Sequence, residues 1–335
     1  MVSLLVALVF GGAVFLHQKR PVRLHETRLL MGTIVDLEVS FPDPEIGKKA
    51  MAAAWKEMER WEQVFSESRA DSEIMLINRM AGSSPVRVGP EVFQVTRAAL
   101  EFSRKSGGAF DPTWAALARD PRGWRINPDN PRVPSDEDLR RILPRVDYRK
   151  VEINEGESQI FLREAGMALG LGGIAKGYIV DRAVSVLRSG GARSGIVNAG
   201  GDLRVFGKPW AGPAWRIGVR DPLHPDRILA RLSVSDGAVT TSGNYERAVV
   251  VNGVRYHHIF DPHTGMPSRG MAGVTLVAPE AITADALATA VFVLGMKKGE
   301  DLLRGFPGAE AILINEQGER LVTNGLKNRV EFLDR

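Results

Sequence analysis

The sequence predicts an α+β fold, mixed and antiparallel sheets packed with helices, preceded by an apolar N-terminal segment. Three observations predict it. Helical and strand periodicities occur in mixed order, without the regular strand–helix alternation of a doubly wound sheet. Asn252-Gly253, between apolar runs at 248–251 and 254–259, is a two-residue hairpin signal of type I′, which joins antiparallel strands. No internal repeat or low-complexity tract interrupts the 335 residues, so one large unit is expected at 26–335, after a separate segment at 1–20.

Taken in order, residues 28–39 alternate as a half-buried strand. Ile46, Met51, Ala54, Met58, Trp61 and Phe65 recur at helical spacing, so 45–67 reads as an amphipathic helix. A short helix follows at 72–78, with Asp71 or Ser72 as its cap, and another at 91–106, stopped by Gly107-Gly108. The stretch 119–144 is rich in proline and charge and reads as a surface excursion with one short helix at 136–142. It fits a lid, an insertion or a plain connector. Residues 151–153 and 159–162 form a hairpin. From 170 to 207 come a glycine-rich loop, a helix opening near Ile174, a glycine stop at Gly190-Gly191, a short buried strand and a second glycine turn. Strands are expected at 215–219, 229–234 and 274–277, then a small-residue helix at 282–294 and a closing hairpin of 311–314 with 320–322.

Composition narrows the chemistry. The formal charge is +4, but the basic residues are scattered and not interleaved with aromatics, which excludes nucleic acid as the main partner. With 0 cysteines there are no disulfides, thiolate metal sites or cysteine nucleophiles, so any metal needs oxygen or histidine ligands. Lys176 stands in a first helical turn, where a cation opposes the macrodipole unless an anion joins it. A glycine loop feeding a helix is also a good phosphate cradle, although an ordinary loop–helix–strand unit with a solvated lysine fits as well. His257 and His258 face opposite sides of a strand, so they cannot chelate one metal together. One of them turned inward fits a general base or phosphate ligand; a hairpin-end histidine with a satisfied hydrogen bond fits equally. Asp285 and Thr289 lie at i and i+4 on one helix face, where a carboxylate and a hydroxyl can share a hard cation. Residues 236–247 read as a Ser/Thr-rich turn at a strand end, and Ser242 lacks a nucleophile elbow.

Together these segments resemble the FAD:protein FMN transferase (ApbE) family. The matching stretches are MGT at 31–33, SESRADSEIMLIN at 66–78, GAFDPT at 108–113, GGIAKGYIVD at 172–181, NAGGD at 198–202, VTTSGNYER at 239–247, HIFDPHTG at 258–265 and TADALAT at 283–289. The resemblance implies Mg²⁺-dependent transfer of FMN from FAD to a Thr or Ser hydroxyl of an acceptor protein, with release of AMP. It implies a metal held by Asp285, Thr289 and the Ala175 carbonyl. It places FAD against Met31, Ser66, Ala109, Phe110, Asp111, Gly172, Lys176, Tyr178 and His258, with His258 and Asp285 as the catalytic pair. Other readings of the same site are a Mg²⁺-dependent FAD pyrophosphatase and a flavin-binding protein without turnover. Residues 2–16 are almost wholly apolar, with His17, Lys19 and Arg20 after them, the length of a signal h-region or short membrane anchor. The charge placement alone would keep the domain cytoplasmic. With the resemblance, an uncleaved export anchor is expected, with the domain on the periplasmic side of the inner membrane, near an acceptor in a membrane electron-transfer complex. Three departures stand out: Gly170 replaces the family's usual aspartate, Trp114-Ala-Ala-Leu replaces its Val-Gly-Pro-Leu, and the proline-rich excursion that follows is unlike the family's common pattern.

Overall fold

The computed structural model describes residues 21–333. The apolar segment expected to be an anchor lies outside them, and no helix among the described residues is long and apolar enough to cross a membrane.

The chain opens with a hairpin, β1 (Val22–Leu30) and β2 (Thr33–Phe41), where the sequence had suggested one strand from 28. Met31 and Gly32 form its turn at φ 54° and 68°, both left-handed, which is why residue 32 is glycine. The folded unit therefore begins before residue 26. Helix α1 (Pro44–Phe65) is capped by Asp43, whose carboxylate accepts the Glu45 and Ile46 amides. Its buried face runs through Gly47, Met51, Ala54, Met58 and Trp61, whereas Ile46, expected inside, is exposed. Ser72 caps α2 (Glu73–Arg79). After β3 (Val86–Arg87), α3 (Pro90–Lys105) ends at Gly107 and Gly108, both left-handed. Helix α4 (Ala115–Arg119) leads into the excursion, which carries α5 (Asp136–Ile142) and is followed by the hairpin β4 (Val151–Asn154) and β5 (Gln159–Leu162).

Helix α6 (Ala175–Ser189) leads through Gly191 at φ 90° into β6 (Ser194–Ala199) and β7 (Asp202–Phe206). Next come β8 (Trp215–Arg220), β9 (Ile228–Val234) and β10 (Gly237–Gly243). β10 is an interior strand where a Ser/Thr-rich turn was expected. One cross-strand hydroxyl pair, Thr241 with Thr275 at 3.0 Å, helps to hold a polar strand there. The hairpin β11 (Ala248–Val251) and β12 (Val254–His257) turns at Asn252-Gly253 with both φ positive, as the sequence predicts. β13 (Met271–Ala278), α7 (Ala281–Leu303), β14 (Glu310–Asn315), β15 (Arg320–Val322) and β16 (Val330–Phe332) complete the chain. The helix expected to stop near 294 continues past a kink at Gly295, where φ is 76°.

The architecture has three layers. An eight-stranded antiparallel sheet, ordered β1-β2-β6-β7-β10-β13-β14-β15, forms the middle. Helices α1, α6 and α7 cover one face, packed on Val35, Leu37, Val274 and Leu276. The small sheet β16-β9-β8 covers the other, packed on Val205, Val239, Val277 and Ile312. Both faces are covered, so β13 is buried at every position.

Candidate functional site

The site is set by how closely α6 and α7 cross. A Cβ on Gly177 would lie 2.2 Å from the Ala281 carbonyl oxygen, so only glycine lets the two N-termini touch. Asp181, one turn later on α6, accepts the Ala281 and Ile282 amides at 2.9 Å each and is paired with Arg204. A carboxylate on free amides at a helix N-terminus is favoured by hydrogen bonding and by the dipole. The crossing places Asp285 against α6, where its Oδ2 accepts the Gly177 amide at 3.0 Å.

Over this crossing opens a cavity of about 730 Å³. Every candidate residue from the sequence lines it except Tyr178: Met31, Ser66, Ala109, Phe110, Asp111, Gly172, Ala175, Lys176, His258, Asp285 and Thr289. Tyr178 instead packs edge-on against Trp61 and Phe65, at 5.9 and 5.6 Å, inside the core. Asp111 is at the wall, but its Oδ1 accepts the Thr113 amide (2.8 Å) and hydroxyl (2.5 Å), and its Oδ2 accepts the Tyr148 amide (2.9 Å). It shapes the wall.

The charges are unbalanced. Lys176 is ion-paired with Asp202, and Asp285 and Glu246 lie in the same lining. Burial works against the Lys176 ammonium, but the Asp202 and Asp285 carboxylates outweigh it and raise its pKa. Burial, then the neighbouring Asp202 charge, pushes Glu246 up to about 7 and holds Asp285 well above the aspartate range. Three carboxylates around one ammonium leave room for another cation, and the donors are all oxygen, which suits a hard ion such as Mg²⁺.

The histidines divide as the strand geometry requires. His257 is buried, its Nε2 donating to the Ser268 carbonyl at 2.8 Å and its Nδ1 accepting the Ile259 amide at 3.2 Å. It is structural. His258 faces the cavity, with Nδ1 3.2 Å from the Arg247 carbonyl oxygen. A carbonyl only accepts, so Nδ1 carries the proton and Nε2 keeps its lone pair. Burial lowers the His258 pKa to about 4, so the ring is neutral at neutral pH.

A family model for the ApbE family matches residues 31–313. The chain belongs to the ApbE family. It is 37% identical to the FAD:protein FMN transferase of Treponema pallidum (strain Nichols), over 91% of this chain and 88% of that protein. One from Klebsiella pneumoniae (strain 342) is 30% identical, over 91% and 93%. Among solved structures, the ApbE protein from Thermotoga maritima superposes with a TM-score of 0.83 at 36% identity, covering 91% of this chain and 98% of that one. The flavin transferase ApbE from Vibrio cholerae gives 0.79 at 26%, covering 92% and 100%.

The ApbE-family cavity also holds residues that sequence reasoning passed over. Asp202 and Glu246 sit inside matching segments, and the charge of Lys176 was the available signal for them. Glu62 reaches the hairpin turn, where it accepts the Met31 amide at 2.6 Å. The excursion, read as a surface feature, contributes Trp124 and Ile126 to the wall, beside Trp114. In the glycine loop read as either a phosphate cradle or an ordinary turn, the Gly172 amide already bonds the Glu67 carboxylate at 2.9 Å.

Proposed function

We propose that this chain transfers FMN from FAD to a Thr or Ser hydroxyl of an acceptor flavoprotein, forming a phosphoester and releasing AMP, with Mg²⁺ as its metal. One observation carries the reading: a neutral histidine with a free ring nitrogen shares a cavity with a cation-poor set of oxygen donors on the α6–α7 crossing. The names of the relatives support the substrate and the product.

The acceptor oxygen attacks the phosphorus of the FMN half, the bridging P–O bond breaks, and AMP leaves. His258 Nε2 takes the acceptor proton and passes it to solvent or to the departing phosphate. Asp285, Thr289 and the Ala175 carbonyl would hold Mg²⁺, which when bound neutralises pyrophosphate charge. Lys176, steered by Asp202, adds a second positive charge at the same place. Met31, Ser66, Ala109, Phe110 and Gly172 orient the flavin and exclude water. The apolar segment at 2–16 is proposed as an anchor that keeps the domain on the periplasmic side of the inner membrane, facing an acceptor in a membrane electron-transfer complex. Protease accessibility in spheroplasts tests that placement, and a fully protected domain rejects it.

The full chain, FAD, Mg²⁺ and a candidate acceptor domain test the reaction by intact mass and AMP release. The expected result is an acceptor heavier by one FMN, with AMP released and both lost on chelation. AMP and FMN without a modified acceptor replaces the reading with pyrophosphatase action. FAD bound but intact replaces it with simple flavin binding.

A further inference from the structure

One carboxylate in the cavity wall has no part in the chemistry above. Glu67 follows the end of α1 and faces the loop at 169–173. Its Oε1 accepts the Gly172 amide at 2.9 Å. Other bonds anchor the start of this loop. The Asn78 side chain accepts the Leu169 amide at 2.6 Å and donates to its carbonyl at 3.0 Å. The Gly170 amide bonds the Pro112 carbonyl at 2.7 Å, and the Leu171 carbonyl accepts from Ile174 at 3.0 Å and Ala175 at 2.8 Å. Within this set Glu67 is the charged partner, and the Arg119 guanidinium, 3.0 Å from the Glu67 backbone oxygen, lies beside it.

Carboxylate and loop are built against each other. A Cβ on Gly170 would lie 3.1 Å from Glu67 Oε2 and 2.8 Å from the Ala115 Cβ, so residue 170 has no side chain. A glycine loop is expensive to hold in one conformation, and a hydrogen bond to a charged acceptor is about twice as strong as one to a neutral acceptor.

We propose that Glu67 is a positioning residue: by holding the Gly172 amide and packing against Gly170 it fixes where the first turn of α6, with the Ala175 carbonyl and Lys176, meets the cavity. The activity part of this inference rests on the transfer reading; the structural part does not. Small displacements of groups that hold a reacting phosphate are costly to rate.

The test is hydrogen exchange of the full chain without ligand, beside steady-state kinetics. In Glu67→Ala, exchange at residues 171–172 rises by at least roughly tenfold while the rest of α6 stays protected. The kcat falls roughly ten- to hundredfold, with KM for FAD changed less. Glu67→Gln keeps one acceptor oxygen and falls between. Adding Gly170→Asp and Ala115→Gly to Glu67→Ala returns a carboxylate to the same space and restores both protection and kcat. Unchanged protection at 171–172, or unchanged kcat beside an active wild type, overturns the proposal. If Glu67→Ala loses protection across the whole sheet, Glu67→Gln decides: loss confined to 171–172 supports the proposal, and no loss rejects it. If the wild type neither transfers nor cleaves FAD, the transfer reading fails while hydrogen exchange still decides the role of Glu67.

Discussion

The two sides of the cavity are built by different means. Its floor, the α6–α7 crossing, is held by backbone: Gly177 against the Ala281 carbonyl, Asp181 on the α7 amides, Asp285 on the Gly177 amide. Its far wall is held by aromatic side chains from the proline-rich excursion and the turn after β12. There the Trp124 indole donates to the Gly265 carbonyl at 2.7 Å and leans on Tyr256 and Phe260, with ring centroids 5.3 and 5.4 Å away. Trp114 stacks on Phe260 at 6.1 Å and keeps one side toward the cavity. The floor fixes charges at defined points, and the wall supplies apolar area. On the proposed reaction, changes to the floor act on kcat and changes to the wall act on KM.

The largest expected effect is on the floor. Asp285→Ala removes the carboxylate expected to bind Mg²⁺ and lowers transfer by at least roughly a hundredfold. It also removes a buried carboxyl whose ionisation is opposed by burial and then by the Asp202 and Glu246 charges, which offsets the lost Gly177 bond, so thermal stability changes little. Full activity with Mg²⁺ breaks the comparison at its strongest point. His258→Gln follows, with kcat lower by roughly 10²- to 10³-fold. Its stability carries a further signature. The folded-state pKa of about 4 lies below the unfolded value of about 6.5. Between these values the unfolded chain binds more protons, so stability rises with pH through this window and is lost as pH falls. Melts of wild type and His258→Gln from pH 4 to 7 should therefore diverge across the window, with the wild type falling faster toward acid. A constant difference rejects the assigned protonation state.

The same contrast explains what was legible in the sequence. The floor comes from contiguous segments in which each odd residue has a local reason: glycine for close approach, Asp285 and Thr289 at one helix spacing, a lysine where the dipole disfavours it. The Asn252-Gly253 hairpin and the split of His257 from His258 follow from two-residue periodicity in the same way. What escaped depends on partners distant in sequence. Met31-Gly32 reads as strand until β1 is seen pairing with β2. The polar β10 reads as a turn until β7 and β13 flank it. Tyr178 lies within a matching segment, yet its position on the helix turns it to Trp61 and Phe65. The departure at Gly170 has its cause in Glu67 and Ala115, which no local pattern links to it.

The smallest expected effect belongs to the wall and is the sharpest test of the contrast. Trp114 is partly exposed to the cavity and leans on a buried neighbour, so its removal leaves the Trp124–Phe260 packing in place. A planar ring stacked on an aromatic face gains about 0.5–1.5 kcal/mol beyond area burial. Trp114→Ala should accordingly raise the KM for FAD by roughly two- to tenfold, leave kcat near wild type, and leave the pH dependence of stability unchanged. Steady-state kinetics with FAD varied at saturating Mg²⁺ reads this directly. A fall in kcat as deep as that of Asp285→Ala would mean that the wall, too, fixes the reacting groups, and the division between charge-holding floor and area-supplying wall would not stand.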